Sequence, residues 1–279
     1  HTVPMLGTGL SMKRLTLILT AAVLLTACAT TTSPTGRRQV TGAVSLAQLD
    51  QMGAEAFAQA KAKQKLSTDA RANTYVRCVV NALVAQLPAQ QRGVAWDVAL
   101  FQDDAANAFA LPGGKVGVNT GIFKVATNQD QLAAVIAHEI VHVTANHHDE
   151  RITRQMGTQV GLGVVGALIG GAYGSNAGQT ATQLGSLGTQ AGFLLPNSRI
   201  QESEADVVGQ QLMARAGFDP AQAVNLWRNM QSASSGSTPQ WMSTHPDPSN
   251  RISKLAADAP SLAPVYQQAR SAGLAPRCG

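Results

Sequence analysis

The stretch His138-Glu139-Ile140-Val141-His142 restricts the fold more than any other in this sequence. Two histidines four residues apart return to nearly the same face of an α-helix, one turn on. Two imidazoles so placed can grip one metal ion, and Glu139 between them can act on a water rather than on the metal. That chemistry needs a helix beneath the motif, a third ligand from elsewhere and a groove for a substrate.

The helix is well signalled. Asn128 reads as its N-cap with Gln131 three residues on, and Leu132, Val135, Ile136 and Val143 supply an apolar face. If this helix continues, His147 lies about 180° from His138 and His148 about 280°. Neither then joins the same metal, and both are expected on the surface or in a second layer.

A third ligand is offered by Ser198-Arg199-Ile200-Gln201-Glu202-Ser203-Glu204-Ala205-Asp206, expected as a helix that runs to about Ala216 and stops at Gly217. Glu202 and Asp206 share a face, whereas Glu204 points about 200° away from Glu202. A carboxylate here could complete a His₂Glu site with one position open, with Asp206 orienting a ligand histidine. The alternative is an acidic, solvated helix face.

A groove is suggested upstream. Val94 to Gln102 alternates as a strand, and Asn107 to Asn119 reads as strand, Gly113-Gly114 turn, strand. Pro112 places this hairpin at a sheet edge, because proline cannot donate to a ladder. Asn107, Ala108, Phe109 and Ala110 could pair with an extended peptide, or form a plain structural hairpin. Farther on, a helix from Pro220 to Met230 and a Ser-rich loop lead to His245 on a proline-held loop. A helix from about Pro248 to Asp258 follows.

The N-terminal region carries a different message. Met12-Lys13-Arg14 and the apolar run from Leu15 to Leu25 resemble the first two regions of a secretion leader, too short to span a membrane. Leu25-Thr26-Ala27-Cys28 resembles a bacterial lipobox, which makes Cys28 a lipidation candidate and points to an outer-membrane lipoprotein facing the periplasm. The other reading is an ordinary signal peptide with a stray cysteine. Loss of residues 1–27 would lower the net charge from +5 to +3. No Lys/Arg block suggests nucleic acid. Cys78 and Cys278 could pair in an oxidising compartment or remain free thiols.

The expected organisation is therefore a leader and start region over 1–27 and a lipidated cysteine with a flexible tether over 28–44. A catalytic domain over 45–260 and a C-terminal helix and tail over 261–279 follow. Two helices, from Ser45 and from Asp69 to Leu87, are expected to pack on the core without chemistry of their own. With only 4% aromatic residues and abundant alanine, the core should be helix-rich and built of small and aliphatic side chains. The glycine-rich run from Gly157 to Gly178 reads as a flap or close-packed helix near the site, with membrane contact as the lesser alternative. Gln179 to Leu195 continues helically.

Asn107–Gly114, the His138–His142 helix, Glu202-x-x-Ala-Asp206 and the Thr244-His245-Pro246 segment together resemble the zinc metallopeptidase family of the CaaX prenyl endoproteases and HtpX. The closer likeness is to its periplasmic, BepA/LoiP-like branch. The resemblance implies an α+β, mostly helical, zincin-like core, with a small sheet, an active-site helix and added packing helices. It implies that His138, His142 and Glu202 bind one Zn²⁺ per subunit and that Glu139 is the general base. Asp206 stands one turn beyond the ligand glutamate. His245 would lie at the active site, where it assists the reaction or occupies the open metal position.

The membrane-spanning segments of the prenyl endoproteases are missing here. Implied substrates are therefore unfolded or misassembled envelope proteins, with the outer-membrane β-barrel assembly machinery as a partner. Two rivals are a chaperone-like or scaffold lipoprotein that keeps the fold, and a metal-free anchor protein. Intact Glu139 counts against the first.

Overall fold

A computed structural model describes residues 29–169, 197–233, 240–246 and 250–279. Its first two helices start where side chains can satisfy exposed backbone N–H groups. Ser45 and Gln48 form a reciprocal capping box at the head of α1 (Leu46–Lys63), and Asp69 caps α2 (Ala70–Val84). A short α3 (Ala89–Arg92) leads into a three-stranded sheet of β3 (Asp97–Phe101), β4 (Ala108–Leu111) and β5 (Lys115–Asn119). β5 lies in the middle, parallel to β3 and antiparallel to β4, so β4 is an edge strand as its neighbouring proline suggested.

Alternation in β3 does not separate core from solvent. Val98 and Leu100 join the main core, while Ala99 and Phe101 pack with Phe57 and Leu111 beneath α1. The sheet is covered on both faces, so each face of the strand meets its own apolar layer. Gly53 of α1 lets that helix lie directly on the backbone of Pro112, where a Cβ would collide with its carbonyl oxygen.

After a 3₁₀ turn (Thr120–Lys124) comes α4 (Gln129–Thr144), the centre of the molecule. The sequence suggests one apolar face, yet every residue from Gln131 to His142 is buried. Alanines at 133, 134 and 137 allow neighbours to approach on several sides: α2, β4, α6 (Arg199–Arg215) and α7 (Gln222–Ala233) all touch it. Gly209 of α6 sits against the backbone of α4, where a Cβ would lie 3.2 Å from the amide nitrogen of His138. The fold is α+β and mostly helical, as expected.

Two expectations need correction. Residues 29–44 do not form a featureless tether: β1 (Ala29–Thr32) and β2 (Arg38–Thr41) make an antiparallel hairpin. It packs on α5 (His147–Ile169), held by long-range polar contacts that local composition does not reveal. His245 stands in the bend just past α8 (Gln240–Thr244) and before Pro246, with its backbone N–H donating to the carbonyl of Trp241. The last helix, α9, runs from Arg251 to Ser271 through Pro260 and Pro264 instead of stopping near Asp258.

Cys78 and Cys278 are joined, Cα–Cα 5.5 Å, tying the C-terminus to α2. Among the described residues no helix is long and apolar enough to cross a membrane. The leader, Cys28, Gly170–Gly178, Gln179–Leu195 and most of the Ser-rich loop lie outside the described residues.

Candidate metal centre and cleft

Residues from three separate segments converge at the middle of α4. Nε2 of His138 and Nε2 of His142 are 3.0 Å apart, and Glu202 places an oxygen 3.3 Å from each. His245 adds Nδ1, 3.1 Å from Oε1 of Glu202 and 3.3 Å from Nε2 of His138. One ligand atom from each of these four buried residues lies within 4.8 Å of every other. Imidazole nitrogens this close to one another and to a carboxylate repel through their lone pairs unless a proton or cation is shared between them. The donor set therefore fits a divalent metal ion, three protein ligands and a fourth position that His245 can reach.

The electrostatics agree. Burial pushes the pKa of His138 down, but Glu202 and Asp206 outweigh it and carry it up to about 10. Burial holds His142 well below the usual imidazole range against the pull of Glu202. Burial opposes ionisation of Glu202 too, yet His138 and His245 keep its carboxyl well below the ordinary value. The pocket thus holds an ionised carboxylate, a neutral imidazole and a field that favours positive charge.

The residues behind the donors are as ordered as the donors. Asp206 Oδ1 lies 3.0 Å from Nδ1 of His138, the orienting role its position one turn past Glu202 suggested. Arg251 joins both acidic residues, donating from Nε to Asp206 and from Nη2 to Glu202 at 2.7 Å. Its guanidinium stacks 3.7 Å from the ring centre of Trp227. The sequence does not single out Arg251; the readable signal was that two carboxylates on one buried helix face require a cation.

Glu139 projects beside this cluster. Nε1 of Trp241 donates to its Oε1 at 2.7 Å, and Nε2 of His245 lies 3.4 Å from the same oxygen. Trp241 also stacks on His245, with centroids 4.6 Å apart and planes at 23°. Trp241 was not foreseen either, although its spacing of four from His245 was a readable cue.

The premise used for His147 and His148 fails. α4 ends at Thr144, and Asn146 takes a left-handed conformation (φ 56°) that turns the chain into α5. Both histidines are buried in a second layer, outside the four-residue donor group. Nδ1 of His147 lies 2.8 Å from Nδ1 of His142, and burial lowers the pKa of His147 although Glu204 opposes it. His148 contacts the carbonyl of Ala110 on β4 through Nε2 at 3.0 Å. Its Nδ1 meets Arg151 at 2.7 Å, and Arg151 also donates to Asn197, another residue the sequence did not single out.

A cleft of about 350 Å³ opens in front of the donors. Edge strand β4 with Asn107, Ala108, Phe109 and Ala110 forms one wall, Ala56 and Ala60 of α1 another, and Glu139 and His245 the floor. α1, expected to be without chemistry, therefore shapes the cleft.

Comparison with known proteins places this arrangement. A profile of Peptidase family M48 matches residues 70–259. The Mitochondrial metalloendopeptidase OMA1 of Schizosaccharomyces pombe is 39% identical over 164 residues, 57% of this chain and 45% of that protein. The Beta-barrel assembly-enhancing protease of Yersinia pestis is 30% identical over 225 residues, 79% of this chain and 46% of that protein. Its namesake in Escherichia coli (strain K12) is 29% identical over 229 residues, 81% of this chain and 46% of that protein. The chain spans about half the length of these curated relatives.

Proposed function

From the premise that the chain belongs to peptidase family M48 and is a metalloendopeptidase, we propose that it is a zinc enzyme of the bacterial cell envelope that cleaves unfolded or misassembled proteins. The resemblance read from its separated motifs holds at the level of the family. The observation that carries the catalytic reading is Glu139. It stands beside a convergent His138, His142 and Glu202 donor set and is oriented by Trp241.

His138, His142 and Glu202 would hold the zinc, with Asp206 and Arg251 fixing two of these ligands from behind. Zinc bound there would acidify a water and polarise a substrate carbonyl. Glu139 takes the proton as water attacks the scissile carbonyl and returns it to the leaving amine. The indole N–H of Trp241 holds Oε1 of Glu139, which leaves the other oxygen to receive the proton. His245, swung aside, donates a hydrogen bond to the developing oxyanion. If its Nδ1 instead stayed with the donor group, 3.1 Å from Oε1 of Glu202, it would take the place of that water. An extended substrate would lie along Asn107–Ala110 as an added strand, displacing the contact of His148 with Ala110.

The envelope assignment draws on two supports. The leader-like run that ends at Cys28 suggests lipidation and an outer-membrane location. The relatives named for β-barrel assembly suggest substrates among outer-membrane proteins and the assembly machinery as a partner. The catalytic reading is tested with Glu139→Gln on unfolded casein. The expected result is a loss of about 10²–10⁴-fold with zinc retained, and unchanged cleavage would sink the mechanism.

A further inference from the structure

His147 is fully buried and has no part in the reaction above, yet it touches a ligand residue. Its Nδ1 faces Nδ1 of His142 at 2.8 Å, and its Nε2 faces Oε2 of Glu204 at 3.2 Å. An imidazole that offers Nε2 to a metal keeps its one proton on Nδ1. The proton between the two rings therefore belongs to His142, and His147 accepts it. His147 must then carry its own proton on Nε2, aimed at Glu204.

Glu204 is itself anchored. Arg37 reaches its Oε2 from Nη2 at 3.0 Å and from Nε at 3.3 Å. Thr35 donates to Oε1 from its backbone N–H at 3.2 Å and its hydroxyl at 2.6 Å. Arg37 also forks onto Glu150, at 2.7 and 2.8 Å. Thr35 and Arg37 sit in the turn between β1 and β2, outside the residues matched to the family. His138 meets its carboxylate partner, Asp206, directly, whereas a second imidazole stands between His142 and its carboxylate.

We propose that His147 is a positioning residue for His142, locked by Glu204 and by Thr35 and Arg37 of the N-terminal hairpin, so that the hairpin strengthens cation binding at the centre. This rests on the reading of His138, His142 and Glu202 as metal ligands. Outer partners of ligand histidines change metal affinity about 10–100-fold.

The test measures zinc affinity of the full chain by competition with a chromophoric chelator, alongside the visible spectrum of the Co²⁺-substituted protein. His147→Leu should bind zinc about 10–100-fold more weakly and shift the Co²⁺ bands. His147→Asn, whose Oδ1 can stand where Nδ1 stood, should recover most of the affinity. Arg37→Met should give a smaller loss in the same direction. Wild-type affinity in His147→Leu overturns the positioning role and leaves the ligand reading intact. A wild-type chain that holds no zinc overturns the ligand reading and the proposal with it. Should His147→Leu not fold, ¹⁵N-histidine spectra of the zinc-loaded wild type decide: a proton on Nε2 of His147 supports the proposal, and one on Nδ1 overturns it.

Discussion

Glu202 and Glu204 stand two residues apart on one helix and show how differently one short acidic run can be used. Glu202 faces the donor cluster and is braced by Arg251, which arrives from beyond His245. Glu204 faces away, toward His147, and is braced by Arg37 from the N-terminal hairpin. Both carboxylates are buried, and each meets an arginine more than 40 residues distant. One face of α6 thus supplies a carboxylate to the donor cluster while the other fastens the β1–β2 hairpin to the layer behind it. The local sequence supplies the charges, and the tertiary fold assigns their roles.

The comparison makes unequal predictions. Glu202→Gln should abolish stable metal binding and casein cleavage. Glu204→Gln should keep the metal, since its amide oxygen can still accept from His147. Elemental analysis after dialysis against a chelator separates the two, and equal metal loss would erase the distinction. Removing the arginines should follow the same order. Arg251 is almost wholly buried against Glu202 and Asp206, so Arg251→Met should cost about 3–5 kcal/mol in urea unfolding of the metal-free protein. Arg37 keeps 20% side-chain exposure, so Arg37→Met should cost less.

The segments that carry these arginines are also tied differently. The chain beyond α9 is closed by the Cys78–Cys278 bond across 200 residues, while the hairpin is held by the ion pairs of Arg37 with Glu150 and Glu204. Reduction should lower stability by about 2–5 kcal/mol, read as a shift in the denaturation midpoint. An unchanged midpoint would mean that the bond constrains little.

The smallest expected effect is the pH response. Despite burial, Arg37, Gln201 and Arg154 hold the carboxyl of Glu150 below its ordinary 4.5, and His147, Ser33, Thr35 and Arg37 do the same for Glu204. A folded pKa below the unfolded one gives stability that is fully present above about pH 4.5 and is lost as pH falls through the folded value. Acid unfolding of the wild type should therefore steepen below about pH 4.5, and Arg37→Met should flatten that slope. Parallel curves for the two proteins would place the acid sensitivity elsewhere.

Much of the centre was readable because it obeys local periodicity. Histidines four apart on a capped helix, and Glu202 and Asp206 four apart on another, keep their geometry wherever the helices go. The edge strand was readable from Pro112 because a missing donor is a local fact. What escaped depends on distance or on one backbone angle. Extrapolating α4 past Thr144 puts His147 in a second layer, where it lies, but not against His142, because a single left-handed residue, Asn146, redirects the chain. The hairpin resembled a tether because its Ser, Thr and Gly residues are typical of linkers. Its order comes from carboxylates 113 and 167 residues away. Trp241 and Arg251 gain their roles only when α8 and α9 fold back over α6 and α4.

The central claim is that His138, His142 and Glu202 form one zinc site with Glu139 beside it. Anomalous diffraction at the zinc edge, from crystals of the Glu139→Gln chain grown with zinc, tests it most directly. The account predicts one peak per chain, about 2.0–2.2 Å from Nε2 of both histidines and from a Glu202 oxygen. A peak elsewhere, or none at these three residues, would contradict it.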